Sequence, residues 1–129
     1  MKQKVYLAGG FKTGWQERLI STVGEDTFLW LDPSAHGIED PALYTFWDLN
    51  AIKDSDVVFA YLEHSNPAGY ALCLEIGYAL ALGKTVILVD EKKSVFGAYS
   101  EKYMDMARHA ATIAFTNLSQ GVEFLKNLA

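Results

Sequence analysis

The run Val57-Val58-Phe59-Ala60-Tyr61-Leu62 restricts the fold more than any other part of this 129-residue chain. Its residues are apolar in succession, without the alternation of a strand that has one wet face. Such a run reads as a strand covered on both sides. Thr85–Val89 repeats the pattern, and Asp90 closes it. Shorter β-rich runs occupy Lys4–Ala8, Thr27–Leu31 and Thr112–Thr116, the second ending at Asp32-Pro33. Between them lies helical spacing. Trp15–Val23 places Trp15, Leu19, Ile20 and Val23 on one side, and Leu43–Lys53, Ala71–Leu82, Val95–Ala110 and Val122–Leu128 are further helices. Gly83 is placed to cap the third helix and Ser119 to start the last, while Ser34–Pro41 reads as a loop. Strands alternating with helices predict an α/β fold. The expected form is a doubly wound, five-stranded parallel sheet of flavodoxin-like order 2-1-3-4-5, with helices on both faces. With no linker, repeat or low-complexity segment, residues 1–129 read as one domain.

In such sheets ligands bind beyond the carboxyl ends of the strands, where the strand order reverses. That directs attention to the segments after the first and third strands. The first supplies Gly9, Gly10, Phe11 and Lys12; the second supplies Glu63 through Gly69, including Asn66. Gly9-Gly10 lets a ligand approach the backbone closely. The spacing is not that of a dinucleotide fingerprint, and neither a phosphate-binding loop of the Walker type nor a serine nucleophile elbow is present.

Charge and composition remove other classes. The net charge is −5 and there is no basic stripe, which argues against a nucleic acid polymer as partner. The single cysteine, Cys73, excludes an intramolecular disulfide and reads as a small buried apolar residue. His36, His64 and His109 lack metal-ligand spacing, so no metal is expected. No apolar run approaches a membrane span and no signal-peptide core is visible. The expectation is a cytoplasmic protein without a membrane partner.

The chemistry concentrates in Asn66–Ala79. There Glu75 sits in an apolar helix one turn after a Pro/Gly turn, sharing a face with Ala71, Leu72, Tyr78 and Ala79. A carboxylate in such company is costly to bury unless a neighbour or a ligand satisfies it. Asp48 lies on the helix before the third strand and Tyr6 lies within the first. Two carboxylates at a small polar ligand suit cleavage of a glycosidic bond, one attacking the anomeric carbon.

Three blocks in this order resemble the nucleoside 2-deoxyribosyltransferase superfamily, which includes 2′-deoxynucleoside 5′-monophosphate N-glycosidases. They are Val5–Phe11, Asp48–Val58, and Asn66–Gly69 through Glu75–Ala79 to Val86. The resemblance implies that Glu75 is the nucleophile on C1′, that Asp48 positions the sugar and moves protons to the base, and that Tyr6 contacts nucleophile or sugar. It implies that Gly9, Gly10, Phe11 and Lys12 close over the base and any phosphate, with Asn66 and Gly69 also lining the substrate. It further implies a nucleoside or nucleotide as small-molecule partner, no cofactor, and a homodimer or larger homo-oligomer. A binding or sensing module without turnover is the competing expectation, motivated by the unusual stretch between Gly69 and Glu75. A flavin or receiver domain fits less well, because the first strand ends in Ala8-Gly9-Gly10 without paired acids.

Overall fold

The computed structural model describes residues 1–95 and 98–129, with side chains described for 1–93 and 102–129. Five strands, β1 (Lys4–Gly9), β2 (Leu29–Leu31), β3 (Val57–Leu62), β4 (Thr85–Asp90) and β5 (Ile113–Phe115), form one sheet of order β2-β1-β3-β4-β5. Every pairing is parallel. The described helices are α1 (Trp15–Val23), α2 (Pro41–Asp54), α3 (Tyr70–Ala81), the short α4 (Lys92–Val95), α5 (Ala98–Ala110) and α6 (Leu118–Lys126). The α/β fold and its strand order are those expected from the alternating pattern.

Strand alternation divides β3 between two cores. Val58, Ala60 and Leu62 join Tyr6, Ile52, Ile76 and Leu88 under α2, α3 and α5. Val57, Phe59 and Tyr61 join Leu7, Trp15, Leu19 and Leu125 under α1 and α6. A continuous apolar run is the sequence trace of this two-sided burial.

The element ends differ from expectation where side chains rather than periodicity set them. β2 starts at Leu29 because Thr27 is held in the turn after α1. Its N–H bonds to the Gly24 carbonyl at 3.2 Å and its hydroxyl donates to the Val23 carbonyl at 3.0 Å. Part of the expected loop 34–41 is a 3-10 turn, Pro33–Ala35, capped by Asp32. α2 begins at Pro41, with the Asp40 carboxylate accepting from the Leu43 N–H at 3.0 Å. The cap of α6 is Asn117, not Ser119. Asn117 Oδ1 accepts from the Gln120 N–H at 3.0 Å, and the Ser119 hydroxyl donates to the same oxygen at 2.8 Å. The polar first turn of α6 hides this start. At the end of α3, Gly83 and Lys84 donate to the carbonyls of Leu80 and Ala79, each at 3.0 Å, the paired closure expected with glycine after a helix. The expected helix Val95–Ala110 is observed as α5 from Ala98. Its residues 96 and 97 lie outside the described residues.

Candidate active site

At the carboxyl end of β1 a cavity of about 520 Å³ opens between β1, α2, α3 and the segment after β2. Tyr6 and Glu75 form its floor, Asp48 and His36 one wall, and Gly9, Gly10 and Phe11 another. A smaller hollow of about 180 Å³ adjoins it along Gly9, Gly10 and Glu75, and includes Asn66 and Gly69.

Tyr6 is fully buried within β1. Its hydroxyl donates to Glu75 Oε2, satisfying the one acidic group of α3. Burial still dominates the charge balance of Glu75. Desolvation raises its pKa, the Tyr6 bond opposes this, and the negative charge of Asp48 adds to the rise, leaving it at about 7. The Tyr6 phenol is itself pushed well up, first by burial and then by the Glu75 charge, so it stays a donor. Asp48 is also raised by burial, against the opposing hydrogen bond and charge of His36. Burial raises both carboxyls, and the negative charge of Asp48 acts on Glu75, so the two titrations are linked.

His36 Nε2 lies 3.1 Å from Asp48 Oδ1. Its Nδ1 accepts from the Ile38 backbone N–H at 3.0 Å, and its ring stands edge-on to Trp47 with centroids 4.6 Å apart. Sequence alone places this residue in a loop and gives it no role. Sequence reasoning misses Tyr44 as well, although Tyr44 and Asp48, four apart on α2, must share a helix face, and both line the cavity. Ile38 and Glu39 complete that rim.

The glycines have steric reasons. A Cβ on Gly9 would lie 2.6 Å from the Tyr61 carbonyl oxygen and 2.9 Å from Trp15 Cζ2. The next carbonyl, that of Gly10, accepts from Trp15 Nε1 at 2.9 Å and from the buried Gln16 Nε2 at 3.0 Å, so α1 holds this loop from behind. Gly69 starts α3 with φ +81°, and a Cβ there would meet Leu62 Cδ1 at 2.9 Å.

The start of the third-strand loop is held from two sides. The Thr13 hydroxyl donates to Glu63 at 2.6 Å. The His64 backbone N–H donates to Glu91 at 3.1 Å, and Tyr61 donates to the same carboxylate. Lys12 is exposed and lines neither hollow, and His64 and His109 are exposed outside both. Cys73 corrects the reading of a buried residue. α3 presents it at the surface, where its thiol lies 3.7 Å from Met104 Sδ on α5. Among the described residues no group of three or more His, Cys, Asp or Glu side chains could hold a metal ion. No helix of the described residues is long and apolar enough to cross a membrane.

A carboxylate-centred cavity at the switch point of a doubly wound sheet defines the class of site. The family described as nucleoside 2-deoxyribosyltransferase like matches residues 2–93, and the chain belongs to it. No curated protein matches the chain. Among solved structures, it is similar to a Clostridium botulinum CMP N-glycosidase at 22% identity and TM-score 0.66, covering 98% of this chain and 100% of that one. It is also similar to a Leishmania mexicana 2-desoxiribosyltransferase, at 15% identity and TM-score 0.75 over 97% of each chain. A conserved protein of Enterococcus faecalis is similar at 20% identity and TM-score 0.61, covering 99% of this chain and 88% of that one. At such identities these likenesses bear on the fold.

Proposed function

We propose that this single-domain protein cleaves the N-glycosidic bond of a nucleoside or its 5′-monophosphate, most simply a 2′-deoxy one. The observation that carries the reading is Glu75, bonded to Tyr6 at the floor of a cavity whose wall carries Asp48. In its ionised form Glu75 attacks C1′ while the C1′–N bond breaks. The departing base takes a proton from Asp48, which stands on the cavity wall beside Glu75. Water or a second base then displaces Glu75 from C1′, its own proton returning to Asp48, and the anomeric configuration is retained overall. Gly9, Gly10 and Phe11 border the space for the base, and Asn66 and Gly69 border the smaller hollow beside Glu75.

We further propose that the protein is a homo-oligomer assembled beside this site. Leu43 and Phe46 on α2 and Tyr70 and Leu74 on α3 are all more than half exposed, on two helices that pack together beside the cavity. A second copy of this chain is the occupant we assign to that face.

Incubation with deoxynucleosides, deoxynucleotides and ribonucleotides, with and without a free acceptor base, tests the activity by chromatography of released base. Release by the native protein and none by Glu75→Gln is expected. Ligand binding without release by the native protein would instead support the non-catalytic module.

A further inference from the structure

The His36 ring is built into the cavity wall with both nitrogens committed. Nδ1 accepts the Ile38 backbone N–H at 3.0 Å, so Nδ1 carries no proton. The ring proton therefore sits on Nε2, which lies 3.1 Å from Asp48 Oδ1 and donates to it. Both side chains are shielded, at 10% and 20% exposure, and the ring is braced edge-on by Trp47, the residue before Asp48. A backbone amide thus sets the tautomer of an imidazole whose other nitrogen orients a carboxylate.

We propose that His36 is a positioning residue for Asp48. It fixes the carboxyl by occupying Oδ1, so that Oδ2 is the atom that exchanges the proton with the leaving base. The role rests on the glycosidic reading above, but the contact itself can be tested without turnover. Around Asp48 the groups that matter are His36 from the loop before α2, Tyr6 on β1, Glu75 on α3, and Glu39 and Tyr44 on the cavity rim. Asp32, after β2, acts on the same Tyr6 phenol.

Three substitutions separate donor from scaffold. His36→Gln keeps an N–H near the Nε2 position and loses the acceptor for Ile38. His36→Asn keeps an acceptor near Nδ1 and loses the donor to Asp48. His36→Phe keeps a ring against Trp47 and loses both. In native protein, 15N NMR should find His36 with Nε2 protonated and Nδ1 bare. Carbon-13 NMR should find the Asp48 titration moved up by about one unit in His36→Phe and His36→Asn but not in His36→Gln. With a cleaved substrate, kcat should fall roughly tenfold to a hundredfold in the Phe and Asn variants with little change in KM, and recover in the Gln variant. The limb of the pH profile that Asp48→Asn abolishes should move with the NMR titration.

An Nδ1-protonated ring, an Asp48 titration indifferent to residue 36, or rescue by Asn rather than Gln would overturn the proposal. Failure of the glycosidic reading would show differently: the NMR results would hold while no substrate was cleaved. Melting temperatures of the variants guard against simple unfolding.

Discussion

The hydroxyl of Tyr6 is bonded to the carboxylate of Glu75, two residues 69 positions apart in the chain. The bond ties the middle of β1 to α3 and favours a charged Glu75 against its desolvation. The bond therefore opposes the burial that raises the Glu75 pKa.

Tyr6→Phe removes the donor and leaves the ring. Glu75 should then hold its proton to higher pH than its present value of about 7, by roughly one further unit. In the proposed mechanism the ionised form attacks, so kcat/KM at pH 7 should drop several-fold and recover as pH is raised. An acid limb that stays where it was would separate Tyr6 from the charge state of Glu75.

The same charge balance predicts a stability effect of definite sign. The pKa of Glu75 is raised from 4.5 to about 7 by folding, so between these values the folded state binds more protons than the unfolded one. Its contribution is fully present below pH 4.5 and is lost as pH rises through about 7. The glutamine of Glu75→Gln does not titrate. The stability of that variant relative to the native protein should therefore improve from about pH 5 to about pH 8, on the order of 2 kcal/mol after allowance for partial solvent access. Urea unfolding at the two pH values measures it, and a difference that does not change with pH would contradict the assignment.

Gly9→Ala should be expensive, because the added methyl meets the Tyr61 carbonyl and the Trp15 ring, both held in place by the core. A loss of roughly 2–3 kcal/mol is expected, with a disturbed cavity. Gly37→Ala is the comparison. It also has positive φ, +66°, but nothing lies within 4 Å of its Cβ, and it should cost only about 1 kcal/mol. Thermal or urea unfolding of the two variants distinguishes a close approach from backbone strain alone.

Leu74→Glu or Phe46→Glu places a charge in the exposed apolar face of α2 and α3. If a second copy covers that face, either change should convert the native oligomer to monomer in sedimentation or light scattering at micromolar concentration. A monomeric native protein would count against the assignment.

Much of the architecture is legible in the residues themselves. The apolar run Val57–Leu62 declares burial on two faces, and a period of 3.6 marks Trp15–Val23, because both signals come from neighbours within a turn or a pleat. Glu75 also stands out, since a carboxylate among Leu72, Leu74 and Ile76 needs an explanation from the third dimension. The caps Asp40 and Asn117 are less visible, as several Asp, Asn and Ser residues compete for each turn and only backbone geometry selects one.

What no local pattern contains is the partnering of distant groups. Periodicity cannot reveal that Tyr6 rather than water faces Glu75, or that a loop histidine turns one nitrogen to Ile38 and the other to Asp48. Nor can it give a pKa of about 7, because desolvation depends on which helices cover the group. The chain's own chemistry settles the layers and singles out Glu75 as an acid in apolar company. The packing of β1, α2 and α3 settles its charge, since electrostatic energies follow distance and burial rather than position in the chain.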